Sequence, residues 1–74
     1  MAYDTMTITR MSSAQFRALR IKWNYSQSQL ARRMNCNIST ISKVEGGGPV
    51  SALMQSLMEA FDVIYTYEQE QQPK

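Results

Sequence analysis

The sequence predicts a mainly α domain: a compact arrangement of four to five short helices with a short β-strand at each end. Three observations predict it. Apolar residues recur at three- and four-residue spacing from Phe16 to Phe61. That pattern is broken at Asn24, at "MNCN" (34–37) and at "GGGP" (46–49). The chain has 74 residues, enough for one domain with one small core, so added stability from dimerisation is expected.

Taken in order, residues 5–9, "TMTIT", alternate polar and apolar with Met6 and Ile8 on one side, and predict an N-terminal strand. Ser12 or Ser13 then offers an N-cap. The first helix carries Phe16, Leu19, Arg20 and Trp23 at i, i+3, i+4 and i+7. An arginine in that apolar stripe needs a partner, because an unpaired buried charge is costly. Asn24, tolerant of the left-handed conformation, stops the helix. Ser26 caps a second helix, with Gln29 three residues on as in a capping box, and Leu30, Ala31 and Met34 supply its buried side. Asn35 allows a tight turn, Cys36 is expected to be buried, and Asn37 caps a third helix from Ile38 to about Glu45. Ile41 and Val44 face inward on it. The glycines and Pro49 end it.

A fourth helix starts near Val50 or Ser51 and is expected to bury Leu53, Leu57 and Phe61, with Met54, Met58 and Ala60 widening that face. Asp62 is expected to end it. "VIYTY" (63–67) is β-branched and aromatic and predicts a C-terminal strand. The domain is therefore placed at 1–67, and the polar segment 68–74 is expected to be a flexible tail.

Charge is segregated along the chain. Residues 10–44 hold Arg10, Arg17, Arg20, Lys22, Arg32, Arg33 and Lys43 and no acid; the remainder is net −5 although the whole chain is only +2. Solvated helix surfaces usually interleave both signs, so the basic block points to a face for a polyanion. One cysteine, Cys36, rules out an internal disulfide and suggests a reducing, cytoplasmic setting (a bacterial cytoplasm or nucleoid). No apolar run approaches the ~20 residues of a membrane span, and the N-terminus lacks a signal-peptide core. Catalysis finds no support: there is no histidine, no cysteine pair and no carboxylate cluster with acid–base spacing. "GGG" follows a helix, which marks a connector and not a nucleotide cradle. The methionines read as core filler, so neither metal nor cofactor is expected.

Two short helices joined by a compact turn describe a helix-turn-helix, in which the first helix braces and the second offers its N-terminal end to a major groove. Ala31 is small where the helices touch. Ser39, Thr40, Ser42 and Lys43 are left for the outer face of the second. Lys43 can donate to guanine O6 and N7, while hydroxyls serve several bases. Ser26, Gln27 and Asn37, at helix N-termini, suit the DNA backbone, as do Thr40 and Arg33. Phe16 and Trp23 share the buried stripe and read as core, not as base-stacking platforms.

The stretch "LRIKWNYSQSQLARRMNCNISTISKVEGG" resembles the phage repressor/Cro-type, Xre-like family of helix-turn-helix domains. The likeness spans roughly Phe16 to Val63. It rests on "SQ-x-x-LA" (26–31), the left-handed position at Asn35, "IS-x-x-E-x-G" (41–47) and "LM-x-x-F-D-V" (57–63). Asn24 and Asn35 stand where the family often has glycine. Ile38 stands where many relatives place a polar base-reading residue; it can pack on a thymine methyl. The resemblance implies that Arg20, late in helix one, pairs with Glu45 at the end of helix three. It also implies a homodimer on a palindromic operator, with half-sites about one helical turn apart. The strand at Val63, Tyr65 and Tyr67 is the expected dimerisation device, pairing with "TMTIT" of its own or the partner chain.

Together these readings predict a sequence-specific regulator that binds double-stranded DNA, an autoregulating repressor of a phage or mobile-element operon. Two alternatives remain at this point: the antitoxin of a toxin–antitoxin pair, which would also bind a toxin, and a protein-interaction module with an idle helix-turn-helix.

Overall fold

In the computed structural model, which describes residues 10–72, the chain forms α1 (Ser13–Lys22), α2 (Gln27–Met34), α3 (Ile38–Glu45) and α4 (Ala52–Gln71). Serines start three of them. Ser12 and Ser26 each complete a capping box, their hydroxyls accepting from the Gln15 and Gln29 amides at 3.1 and 3.0 Å while those glutamines accept from the serine amides. Ser51 accepts from the Met54 amide. Asn37 occupies the corresponding position before α3, but its side chain makes no capping bond.

The first three helices also end alike. Past each C-terminus one residue turns left-handed: Asn24 at φ 62°, Asn35 at φ 58° and Gly47 at φ 115°. In each case the next amide reaches back five residues, Tyr25 to Arg20, Cys36 to Ala31 and Gly48 to Lys43, at 2.9–3.1 Å. This closure satisfies carbonyls that a helix end leaves unbonded and turns the chain sharply. Gly47 is required by its φ. At Gly48 a Cβ would come within 2.9 Å of the Lys43 carbonyl oxygen, so the tight return after α3 depends on both residues.

α3 packs on α2 and α1, and α4 closes over α1. Phe16, Leu30, Ile41 and Met58 are fully buried, one from each helix, with Trp23, Ala31, Val44 and Val50 around them. Leu19, Met34 and Cys36 are half-buried against this core. The Trp23 ring meets Tyr25 and Phe61 edge-on, each at 6.1 Å between centroids.

α4 differs from expectation in three ways. It does not stop at Asp62: residues 63–67, expected as a strand, and 68–71, expected as tail, continue the helix to Gln71. Asp62 does not cap; its carboxylate instead accepts from Lys22 Nζ at 2.9 Å and Trp23 Nε1 at 3.1 Å. β-propensity is a fit to a half-buried pleated surface, and no strand is present among the described residues to offer one. Extension of a packed helix satisfies the same backbone groups locally. The inward face is also rotated. Met58 is fully buried, with Met54, Phe61 and Tyr65 packed beside it, whereas Leu53 is 71% exposed. The N-terminal strand expected at residues 5–9 lies outside the described residues. No helix among the described residues is long and apolar enough to cross a membrane.

Candidate nucleic-acid interface

The outer face of α3 is built by what holds its inner face. Ile41 and Val44 are buried, which fixes the helix's rotation and turns Ser39, Ser42 and Lys43 outward at 100° per residue. All three are exposed, and none makes a side-chain bond or ion pair with another described residue. Ile38 lies on the flank of this face, 51% exposed although apolar. Thr40 lies on the other flank, where it shares a shallow groove of about 310 Å³ with Ser39, Lys43, Gly48 and Pro49.

The C-terminal end of α3 is pinned by charge. Arg20 grips Glu45 with two parallel bonds, Nε to Oε2 at 2.6 Å and Nη2 to Oε1 at 2.9 Å. Its remaining Nη1 donates to the Tyr25 carbonyl at 2.8 Å. Gln27 Nε2, at the start of α2, adds a third donor to Glu45 at 3.0 Å. One carboxylate therefore ties α1, α2 and α3 together. The Glu45 side chain is 5% and the Arg20 side chain 12% exposed, so both charges are compensated where solvent cannot help. Burial pushes the Glu45 carboxyl up, but the bonds from Arg20 and Gln27 and the charges of Arg20 and Arg17 outweigh it, leaving the group below the ordinary carboxylate range. The bond to Glu45 outweighs burial at Arg20 and raises its pKa.

Beside this clamp lies a polar cleft of about 250 Å³, where Arg17 and Ser42 stand next to Gln27, Glu45 and Gly46. Ser26 and Gln27 thus sit at the α2 N-terminus, with Gln27 bonded inward and Ser26 occupied by its own cap. Asn37 is exposed at the start of α3.

The basic block divides into two groups of different use. Arg20 is in the clamp. Lys22 pairs with Asp62 and lies 5.8 Å from the centre of the Tyr65 ring. Arg33 donates to the Tyr25 hydroxyl at 2.6 Å and stacks 4.2 Å from the centre of Phe61 on α4. These three cations brace the fold. Arg10, Arg17, Arg32 and Lys43 are exposed and make no ion pair with any described residue. Sequence reasoning placed Arg33 with the DNA-backbone group and did not single out Arg17. Only a long-range partner distinguishes the two, and a local pattern does not carry it.

Val63, Tyr65 and Tyr67, expected on a pairing strand, are on α4. Val63 is 69% and Tyr67 62% exposed, while Tyr65 is half-buried beneath Lys22. No group of three or more His, Cys, Asp or Glu side chains able to hold a metal ion occurs among the described residues.

Comparison with known proteins gives no family model, no curated protein and no solved structure that matches the chain.

Proposed function

We propose that this chain is a sequence-specific regulator of the phage repressor/Cro-like type, which binds double-stranded DNA through α2, its turn and α3. The observation that carries this reading is the outer face of α3. Ser39, Ser42 and Lys43 are exposed and their side chains bond no other described residue, on a helix whose other side is locked by Ile41, Val44 and the Arg20–Glu45–Gln27 clamp. A rigid helix presenting unengaged donors is what readout of base edges in a major groove demands. Arg17, which lines a cleft with Ser42, and Arg32, exposed on α2, make no ion pair with any described residue and suit phosphates, which give attraction and register without sequence information.

In this reading Lys43 and Ser39 contact base edges, Ser42 contributes a hydroxyl, and Ile38 packs on a thymine methyl. Gln27, Asn37 and Thr40 lie where the DNA backbone would pass. One such helix reads only a few base pairs, so useful discrimination requires two copies on an inverted repeat. Repression follows from occupancy of an operator.

The test is binding to the DNA upstream of the chain's own coding sequence, followed across a salt series. The reading expects protection of an inverted repeat and an affinity that falls steeply with salt. Equal, weak binding to every duplex would contradict it.

A further inference from the structure

We infer that Ile38 makes the outer face of α3 sensitive to methylation of cytosine at C5. A 5-methylcytosine beneath Ile38 is bound as thymine is, and an unmethylated cytosine there is disfavoured. This selectivity rests on α3 being the helix that enters a major groove, as proposed above, and it names a chemical mark that regulates binding at that face. Between Ser26 and Glu45, Ile38 is the only large apolar side chain left exposed, at 51%. It takes no part in the core, where α3 is held by Ile41 and Val44. Its apolar surface is therefore not used inside the described fold.

Helix geometry sets what lies beside it. At 100° per residue, Ser42 stands one turn on and about 40° round from Ile38, with Ser39 and Lys43 completing the outer arc. Isoleucine has no hydrogen-bonding group, so it cannot tell the O4 of thymine from the N4 amino group of cytosine. What it can recognise is the methyl group that thymine presents at C5 in the major groove. 5-Methylcytosine carries the same methyl at the same place.

The neighbouring groups do not restore discrimination between the two bases. Readout of an unmethylated cytosine calls for an acceptor at its N4 amino group, best supplied by a carboxylate. The one carboxylate of α3, Glu45, is held by Arg20 and Gln27. Lys43 only donates, and the Ser39 and Ser42 hydroxyls turn to suit either base. A pyrimidine under Ile38 is thus ranked by whether it brings a methyl group. Burial of one methyl group is worth about fourfold in affinity. Two copies on an inverted repeat multiply this to about 15-fold when both half-sites carry the mark.

The test is fluorescence anisotropy on duplexes of the inverted repeat protected upstream of the chain's own coding sequence, altered at one symmetric pyrimidine position at a time. Thymine→uracil removes only the C5 methyl, and cytosine→5-methylcytosine adds only that. At one position per half-site, removal is expected to weaken binding about fourfold in one half-site and about 15-fold in both. At the same position 5-methylcytosine should bind more tightly than cytosine by the same factors. Ile38→Ala lies outside the core and should keep its circular dichroism while losing most of both effects; Ile38→Val should retain most of them. Sequence-selective binding indifferent to the C5 methyl at every position, or a methyl effect undiminished in Ile38→Ala, would overturn this role for Ile38 and leave the DNA reading standing. Failure to select any inverted repeat would overturn both.

Discussion

The first three helices and the fourth solve different problems with different residues. α1 to α3 are short, capped at the start of α1 and α2 by serine–glutamine boxes, closed by left-handed residues, and joined through one buried carboxylate. α4 is 20 residues long, has no cation, and leaves an apolar strip in solvent. Isolated helices of eight or ten residues are marginal in water, so the short ones depend on caps and tertiary ties. The difference teaches where rigidity is concentrated: around the face of α3 that carries Ser39, Ser42 and Lys43, and not along the surface of α4.

The comparison is broken most severely at the clamp. Arg20→Ala should destabilise the chain by about 3 kcal/mol, because the enclosed Glu45 carboxylate then loses its counter-charge and keeps only the Gln27 bond. Urea unfolding checks this, and an unchanged midpoint would remove the clamp from the account. Close in size, Met58→Ala should cost about 3 kcal/mol by leaving a cavity, whereas Leu53→Ala should cost less than about 0.5 kcal/mol in the monomer. Equal losses would put Leu53 back on the inward face.

A smaller effect concerns acid. Lys22, then Trp23, donate to the Asp62 carboxylate and hold it below its ordinary range, as the clamp does for Glu45. The stability both contribute is therefore complete above the unfolded-state carboxylate values near 4, and lost as pH falls through the lower folded values. Urea midpoints should be level near neutrality and drop below about pH 4, with a shallower drop in Asp62→Asn. Removing the Asp62 carboxylate at neutral pH should cost about 1 kcal/mol, since Lys22 remains solvated.

The smallest stability effect sharpens the division among cations. Arg33→Ala should cost about 1 kcal/mol and leave the salt dependence of DNA binding nearly intact, because its guanidinium lies on Phe61. Arg17→Ala should cost less than about 0.5 kcal/mol, the weak attraction of an exposed charge for Glu45, and lower the salt slope by about one. Exchange of these two outcomes would reverse the roles assigned to them.

What the sequence revealed was mostly local. The Ser26–Gln29 box, the left-handed asparagines and the "GGGP" stop are encoded within a few residues, and each stands at its expected place. The end of α4 was not legible, because "VIYTY" has the composition of a strand, while its helical continuation rests on the packed turns before it, with Phe61 and Tyr65 against the core. Nor was the inward face of α4. Leu53, Met54, Leu57, Met58 and Phe61 cover a wide arc, and the α1 contacts at Lys22 and Trp23 decide which edge is covered. The uses of Lys22 and Arg33 were hidden for the same reason, since their partners lie 40 and 28 positions away, at Asp62 and Phe61.

The most direct measurement is the ratio of affinities for an inverted-repeat operator and a scrambled duplex, taken by fluorescence anisotropy across a salt series, for the unaltered chain and for Ser39→Ala with Lys43→Ala. The account predicts that the double substitution leaves the fold and the weak, salt-dependent attraction in place while the ratio collapses toward one. A ratio that survives would mean that sequence is read elsewhere than on the outer face of α3.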